Sequence, residues 1–192
     1  MKGRKAYSAV KRILDIVFSS VLLLLLSFPM LIIAVSIALT SDGGVLFRQE
    51  RVGVGGEKFI CLKFRTMYTF TPSSCPKSQL LSAERYITPV GRFLRKTSLD
   101  ELPQLFNVLM GDMSLVGPRP LVAEEGEIHS LRHRCGVYGL RPGITGLAQI
   151  SGRDDINDLE KVRLDAKYAK GVSLRTDAGI IVRTFFHLAT GK

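Results

Sequence analysis

Asp100 and Glu101 are adjacent carboxylates set between a basic pair, Arg95-Lys96, and Pro103. A carboxylate can attack phosphorus and form an acyl phosphate. That step needs cations to neutralise a diphosphate and its leaving group, usually arginines together with Mg²⁺. Arg95, Lys96, Arg119, Arg141 and Arg153 supply charge from glycine- and proline-rich stretches, and guanidinium groups grip phosphate oxygens bidentately. A purely structural reading competes with this one. Ser98 followed by Glu101 fits a capping box, and acidic residues favour a first helical turn. With Ser98 as N-cap, however, Pro103 would fall fifth in the helix, where its ring disturbs the backbone. A start at Asp100 puts Pro103 at the tolerated N3 position and Asp100 at a helix mouth, whose unpaired N–H groups attract phosphate.

These residues must be held by a small α+β, predominantly helical domain over residues 42–192. Val45-Leu46-Phe47 and Lys58 to Phe64 read as short strands joined by the turn Gly53-Val54-Gly55-Gly56. That turn lacks the third spaced glycine and the βαβ context of a dinucleotide fingerprint. Thr88-Pro89 reads as an N-cap with proline at the first helical position, opening a helix through Lys96. Leu99 to Met110 reads as one helical run ended near Gly111, and Pro118 and Pro120 fix Arg119 in a rigid turn. Leu121 to Arg134 is expected to be helical, with His129 and His133 four apart but no third metal ligand at matching spacing. Leu140 to Gly152 reads as a glycine-punctuated loop. Asp158 to Lys170 and Ser173 to Leu188 close the chain as two helices. On the last, Ile180, Ile181, Phe185 and Leu188 lie opposite Arg175 and Arg183, a stripe suited to a core or to a membrane surface.

Residues 1–41 are of a different kind. No side chain from Ile16 to Ser41 is charged, and Ile13 to Leu39 as one helix would reach roughly 40 Å, enough for a ~30 Å hydrocarbon core. Pro29 interrupts it, with Ser27 two residues before. Either half alone, about 20 Å, is too short to cross. Basic residues flank both sides: Lys2, Arg4, Lys5, Lys11 and Arg12 before, Arg48, Arg51 and Lys58 after. The positive-inside bias therefore permits both ends on one face. A bent re-entrant hairpin and a kinked span both satisfy the pattern. Arg12 and Asp15, three apart, could pair at the water boundary.

Composition agrees with a globular chain working on anions. In 192 residues, 46% are hydrophobic and the formal net charge is +10, which favours phosphorylated metabolites, acidic lipid or nucleic acid. Three cysteines, Cys61, Cys75 and Cys135, without paired-ligand spacing read as reduced cytosolic thiols rather than a disulfide or zinc framework.

The stretches Leu94 to Leu109, Gly111 to Pro120 and Arg141 to Ile150 resemble the signatures of the bacterial sugar transferases, the monotopic phosphoglycosyl transferases. Lys11 to Asp15, Phe47 to Gly53 and Lys63 to Met67 resemble the family's opening segments. The likeness runs nearly end to end. It implies a re-entrant membrane helix broken at a serine-proline step (Ser27, Pro29). It further implies a catalytic domain with amphipathic interfacial helices on the cytosolic face of the bacterial inner membrane. In the ping-pong reaction implied, Asp100 attacks the sugar-bearing phosphate of a UDP-sugar and expels UMP, and undecaprenyl phosphate takes the phosphosugar. Asp100 would bind Mg²⁺ as well as attack, and Glu101 would assist either the acceptor step or the metal. Arg95 and Arg119 would hold phosphates, Arg153 falls in another family motif, and Arg141 joins them as a phosphate-binding candidate by its charge. The pattern expected is the minimal catalytic form.

Three departures stand out. Phe28 separates Ser27 from Pro29, Leu147 stands where the family often has tryptophan, and the linker from Thr69 to Ser82 is atypical. A second reading is a membrane-tethered basic module that binds anionic lipid or nucleic acid without catalysis. Poor aromatic interleaving and the lack of any recognised nucleic-acid motif oppose it.

Overall fold

The computed structural model describes residues 2–70, 83–152 and 156–190. A single helix, α1 (Lys2–Thr40), carries the apolar segment with Pro29 inside it. Residues Ala6–Thr40 are long and apolar enough to cross a membrane, with a mean hydropathy of 2.8 and only 6% of the most apolar window buried. Pro29 offers no N–H to the carbonyl four residues back. The Ser27 hydroxyl donates to the neighbouring Leu24 carbonyl (2.7 Å), so the intervening Phe28 does not prevent a serine bond beside the proline.

The strands β1 (Leu46–Val52) and β2 (Lys58–Phe64) pair antiparallel from Leu46↔Phe64 to Val52↔Lys58; the hairpin and the bounds of β2 are those expected, while β1 continues past Phe47 to Val52. Cross-strand partners share a face, so Gln49 and Arg51 stand beside Cys61 and Phe59, with Lys63 two residues on along that face. The outer edge of β2 meets a side chain instead of a third strand. Asn107 accepts from the Leu62 N–H (2.9 Å) and donates to the Ile60 carbonyl (2.7 Å). It is fully buried, so both backbone groups are satisfied away from water.

Helix α2 (Pro89–Thr97) begins as the sequence predicts: Thr88 caps it, its hydroxyl accepting from the Gly91 N–H at 2.9 Å. Its end differs from expectation. Ser98 takes the left-handed conformation (φ 59°), and Leu99–Glu101 form a single 3₁₀ turn before α3 (Gln104–Met110). The expected continuous helix from Leu99 is therefore two pieces. Pro103, not Asp100, occupies the N-cap of α3, and Ser98 makes no side-chain cap. The proline ring accounts for the break, since a helix running through it would lose a bond and clash.

Beyond Gly111, β3 (Ser114–Val116) pairs parallel with β4 (Gly143–Thr145). Here the backbones touch: a Cβ on Gly143 would lie 2.0 Å from the Gly117 nitrogen, and one on Gly146 would lie 2.0 Å from the Gly117 oxygen. The expected loop from Leu140 to Gly152 thus contains a strand and the short helix α5 (Leu147–Gly152). The expected helix from Leu121 is confined to α4 (Gly126–Arg134), because Leu121 bridges to Val52. Helix α6 (Asp158–Lys170) has the predicted bounds, and α7 (Leu174–Thr190) is close to them.

The apolar stripe on α7 divides: Ile180 is buried with Val116, Ile150 and Tyr168, and Ile181 packs on that cluster. Val182, Phe185 and Phe186 remain exposed. Leu147, at the tryptophan position, also packs on it. Helix α1 docks through polar side chains as well. Arg12 donates to the Val108 and Leu109 carbonyls (2.5 and 2.8 Å) at the end of α3, where positive charge favours the helix dipole. Asp15, 4% exposed, accepts from the Leu115 N–H. The expected Arg12–Asp15 pair is absent among the described ion pairs, since each side chain is used on a different element of the domain.

Candidate active site

The left-handed turn at Ser98 reverses the chain between the basic end of α2 and the acidic 3₁₀ turn. Ser98 is the one non-glycine residue with positive φ among the described residues. Such strain persists only where surrounding structure enforces it. Leu99 and Leu102, on either side of Asp100 and Glu101, pack on the cluster of Ile37, Phe64 and Leu94, as do Met30, Ile33 and Ala34 of α1. The two carboxylates therefore ride on a turn whose apolar flanks pack with the C-terminal part of α1.

Cations surround this turn. Glu101 Oε1 lies 2.6 Å from Lys63 Nζ and 3.6 Å from Arg119 Nη1. Arg95 is fixed by its Nε–H donating to the Thr66 hydroxyl at 2.9 Å. Gly91 permits that approach, since a Cβ there would lie 2.1 Å from the Thr66 carbonyl oxygen. Arg51 donates to the Pro120 carbonyl (3.0 Å) and to Gln49 (2.6 Å), while its Nε is buried without a partner. A cleft here is lined by Arg51, Cys61, Lys63, Glu101, Gln104 and Arg119, among others.

Asp100 has no ion-pair partner within 4.0 Å among the described residues. Burial raises its pKa, and the neighbouring Glu101 charge adds to the rise; Lys63 and Arg95 pull the other way. Burial lowers the Arg51 pKa and the charge of Arg119 lowers it further, although a guanidinium stays charged at any working pH. Glu101 and the cations Arg51, Lys63 and Arg119 line this cleft, and Asp100 and Arg95 act on one another electrostatically beside it. Such a set suits an anion that can take the cations over.

Comparison with known proteins decides the family. Residues 6–191 match the bacterial sugar transferase family. The chain belongs to the bacterial sugar transferases. It is 43% identical over 188 residues to a UDP-glucose:undecaprenyl-phosphate glucose-1-phosphate transferase of Klebsiella pneumoniae, an alignment covering 92% of this chain and 39% of that protein. It is 40% identical to the exopolysaccharide production protein ExoY of Rhizobium meliloti, covering 91% and 83%. It is 41% identical to an undecaprenyl-phosphate galactose phosphotransferase of Salmonella typhimurium, covering 95% and 41%. The chain thus spans about two fifths of the first and third relatives and most of the second.

The fold brings together Asp100, Glu101, Arg95 and Arg119 of the residues the sequence singles out. Arg141 stands apart: its Nε–H donates to the Gly111 carbonyl (2.8 Å), at the opposite end of α3 from the carboxylates. Arg153 lies outside the described residues, as do Cys75 and most of the Thr69–Ser82 linker. Ser27 and Pro29 are exposed near the middle of α1. His129 spends both ring nitrogens on structure, one with the Tyr138 hydroxyl and one with the Val122 carbonyl.

Sequence reasoning passed over Lys63, Arg51, Gln104 and Thr66. Period-2 alternation along two paired strands would have set Arg51 and Lys63 on one face, but that this face meets Glu101 is a long-range contact the strands alone do not specify.

Proposed function

We propose that this chain transfers a sugar-1-phosphate from a UDP-sugar to undecaprenyl phosphate at the cytoplasmic face of the bacterial cell membrane, through a covalent intermediate on Asp100. The observation that carries this reading is the position of the Asp100–Glu101 turn, ringed by Lys63, Arg95 and Arg119 and resting on the apolar helix. A water-soluble diphosphate and a lipid phosphate can both reach such a place. The relatives' names supply the donor and acceptor classes.

Arg119, Lys63 and Arg95 would hold the donor's diphosphate. An Asp100 carboxylate oxygen attacks the phosphorus that bears the sugar, and the bond from that phosphorus to the bridging oxygen breaks. UMP leaves with the bridging oxygen. A phosphate oxygen of the acceptor then attacks the same phosphorus, releasing the Asp100 carboxylate and forming the lipid diphosphate sugar. Glu101 holds Lys63 and Arg119 in place until the donor's oxygens engage them.

Among the described residues no group of three or more His, Cys, Asp or Glu side chains gathers to form an all-protein metal cage. Two adjacent carboxylates fit Mg²⁺ nonetheless, because that ion usually takes one or two carboxylates and completes its shell with water and substrate phosphates. Asp100, with Glu101 beside it, would hold the ion, which neutralises charge on the diphosphate when bound.

The same reading makes α1 a re-entrant hairpin. Support comes from its two arms, both of which dock on the catalytic domain. Tyr7 and Lys11 reach Asp177, and Asp15 reaches Leu115, while Ile37 packs with Phe64 and Leu94. Between Ser19 and Met30 no residue is buried. The exposed Phe185 and Phe186 of α7 then lie in the lipid interface.

Detergent-solubilised protein incubated with Mg²⁺ and a panel of UDP-sugars should release UMP, and Asp100→Asn should abolish it. Full activity in that variant would rule out the covalent route. Cysteines placed at Ala6 and Asp42 should react equally from the cytosolic side; opposite reactivity would establish a span.

A further inference from the structure

Four consecutive carbonyls around Arg119 are each held by a donor from elsewhere in the fold. The Pro118 oxygen accepts from the Gly143 N–H (2.8 Å), and the Leu121 oxygen accepts from the Val52 N–H (2.9 Å). The Pro120 oxygen accepts from Arg51 Nη1 (3.0 Å) and the Arg119 oxygen from Arg132 Nη1 (2.7 Å). Pro118 and Pro120 have no N–H, so the segment is gripped through its oxygens.

Arg132 differs from the other three donors. It is 2% exposed on α4, and its Nη2 meets Asp165 Oδ2 of α6 at 2.5 Å, a carboxylate only 1% exposed. A buried ion pair is a poor source of stability, because desolvation offsets most of its attraction, and well-packed apolar substitutes are often neutral or better. Burial here is severe enough to push Asp165 up to about 6 against the pull of Arg132. What an apolar pair could not supply is the second arm of the guanidinium on the Arg119 carbonyl. A planar fork can serve both partners at once.

We infer that the buried Arg132–Asp165 pair is a positioning device that fixes the backbone of Arg119 and thereby aims its side chain at the donor's diphosphate. Neither residue touches substrate. The inference rests on the proposed phosphoglycosyl transfer for its kinetic arm, and has a second arm that does not.

The test is the double substitution Arg132→Met/Asp165→Leu, which removes both charges without stranding either. Its Tm should stay within a few degrees of the wild type. Its kcat/KM for UMP release should fall about 10- to 100-fold, the usual consequence of misplacing a binding group by about 1 Å. In an Arg119→Ala background the same double substitution should change kcat/KM less than about twofold, because the side chain it aims is gone. Amide exchange at Val52 and Gly143, which report the Leu121 and Pro118 carbonyls, should accelerate in the double variant whether or not the protein turns over substrate.

Wild-type kcat/KM in a folded double variant would overturn the inference, as would an equal loss with and without Arg119. Should the double variant not melt cooperatively, Arg132→Lys decides. A lysine can pair with Asp165 but lacks the fork, so kcat/KM should fall while Tm holds; unchanged kcat/KM would again overturn it. If wild-type protein releases no UMP from any donor, the transferase reading fails, and the exchange measurement alone decides whether the pair fixes this segment.

Discussion

Replacing Gly91 by alanine should suppress the proposed transfer from a position outside the cation-lined cleft. The added Cβ would lie 2.1 Å from the Thr66 carbonyl oxygen and 2.7 Å from its Cα and carbonyl carbon. Side-chain Cβ atoms essentially never come closer than 3.0 Å, so α2 and the segment just past β2 must part by about 0.9 Å. The obstacle is backbone, and no rotamer change relieves it. Overpacking of this kind costs about 1–3 kcal/mol, which for a chain of this size lowers Tm by roughly 2–12 °C. The same displacement stretches the 2.9 Å bond from Arg95 to Thr66, and Arg95 sits one turn along α2 from the collision. A shift near 1 Å in a phosphate-holding group costs on the order of 100-fold in rate. Differential scanning fluorimetry and UMP release measured on the same preparation separate the two effects. Gly179→Ala on α7, where the new Cβ meets nothing within 4 Å, should instead raise stability by up to about 1 kcal/mol. A Gly91→Ala protein with wild-type Tm and wild-type kcat/KM would refute the close approach of α2 to Thr66 and the role assigned to Arg95.

Asp100 should destabilise the fold it serves. Its pKa is raised by burial and by Glu101, so its favourable contribution is complete below the ordinary carboxylate value near ~3.9 and is lost as pH rises through the folded value. Asp100→Asn should therefore melt above the wild type at pH 7.5, with the gap closing toward about pH 4; a lower Tm at neutral pH would contradict the assignment. Asn107→Leu strands the Leu62 N–H and the Ile60 carbonyl, which should cost about 2–6 kcal/mol and expose the Leu62 amide to hydrogen exchange. Chelation of Mg²⁺ should stop UMP release reversibly and leave Tm unchanged, because the ion is held largely through substrate phosphates; a chelator-induced fall in Tm would point to a structural metal instead.

Much of the scaffold was legible where local chemistry governs it. Thr88-Pro89 opens α2 because a hydroxyl cap and a fixed φ act within one turn. Asp158 to Lys170 is bounded by Asn157, whose side chain accepts from the Glu160 N–H, and by Gly171. The strands β3 and β4, three residues each, are too short to show a period. They exist because Gly117, Gly143 and Gly146 let two backbones touch, a long-range condition that glycines in sequence resemble a loop in satisfying. Asp100, Glu101, Arg95 and Arg119 could be grouped from motif and turn chemistry. Arg141 could not be excluded that way, because its distance from the carboxylates depends on which end of α3 its loop meets. Lys63 stayed hidden for the converse reason, since an alternating strand gives its face but not what that face meets.

The most direct test of the account is whether a phosphosugar becomes attached to Asp100. Purified protein with Mg²⁺ and a radiolabelled or mass-tagged UDP-sugar, quenched in acid without lipid acceptor, should gain the mass of one sugar phosphate. Peptide mapping should locate the adduct on the segment containing Asp100, and undecaprenyl phosphate should discharge it. Lipid-linked product formed by wild-type protein and equally by Asp100→Asn, with no adduct in either, would contradict the account.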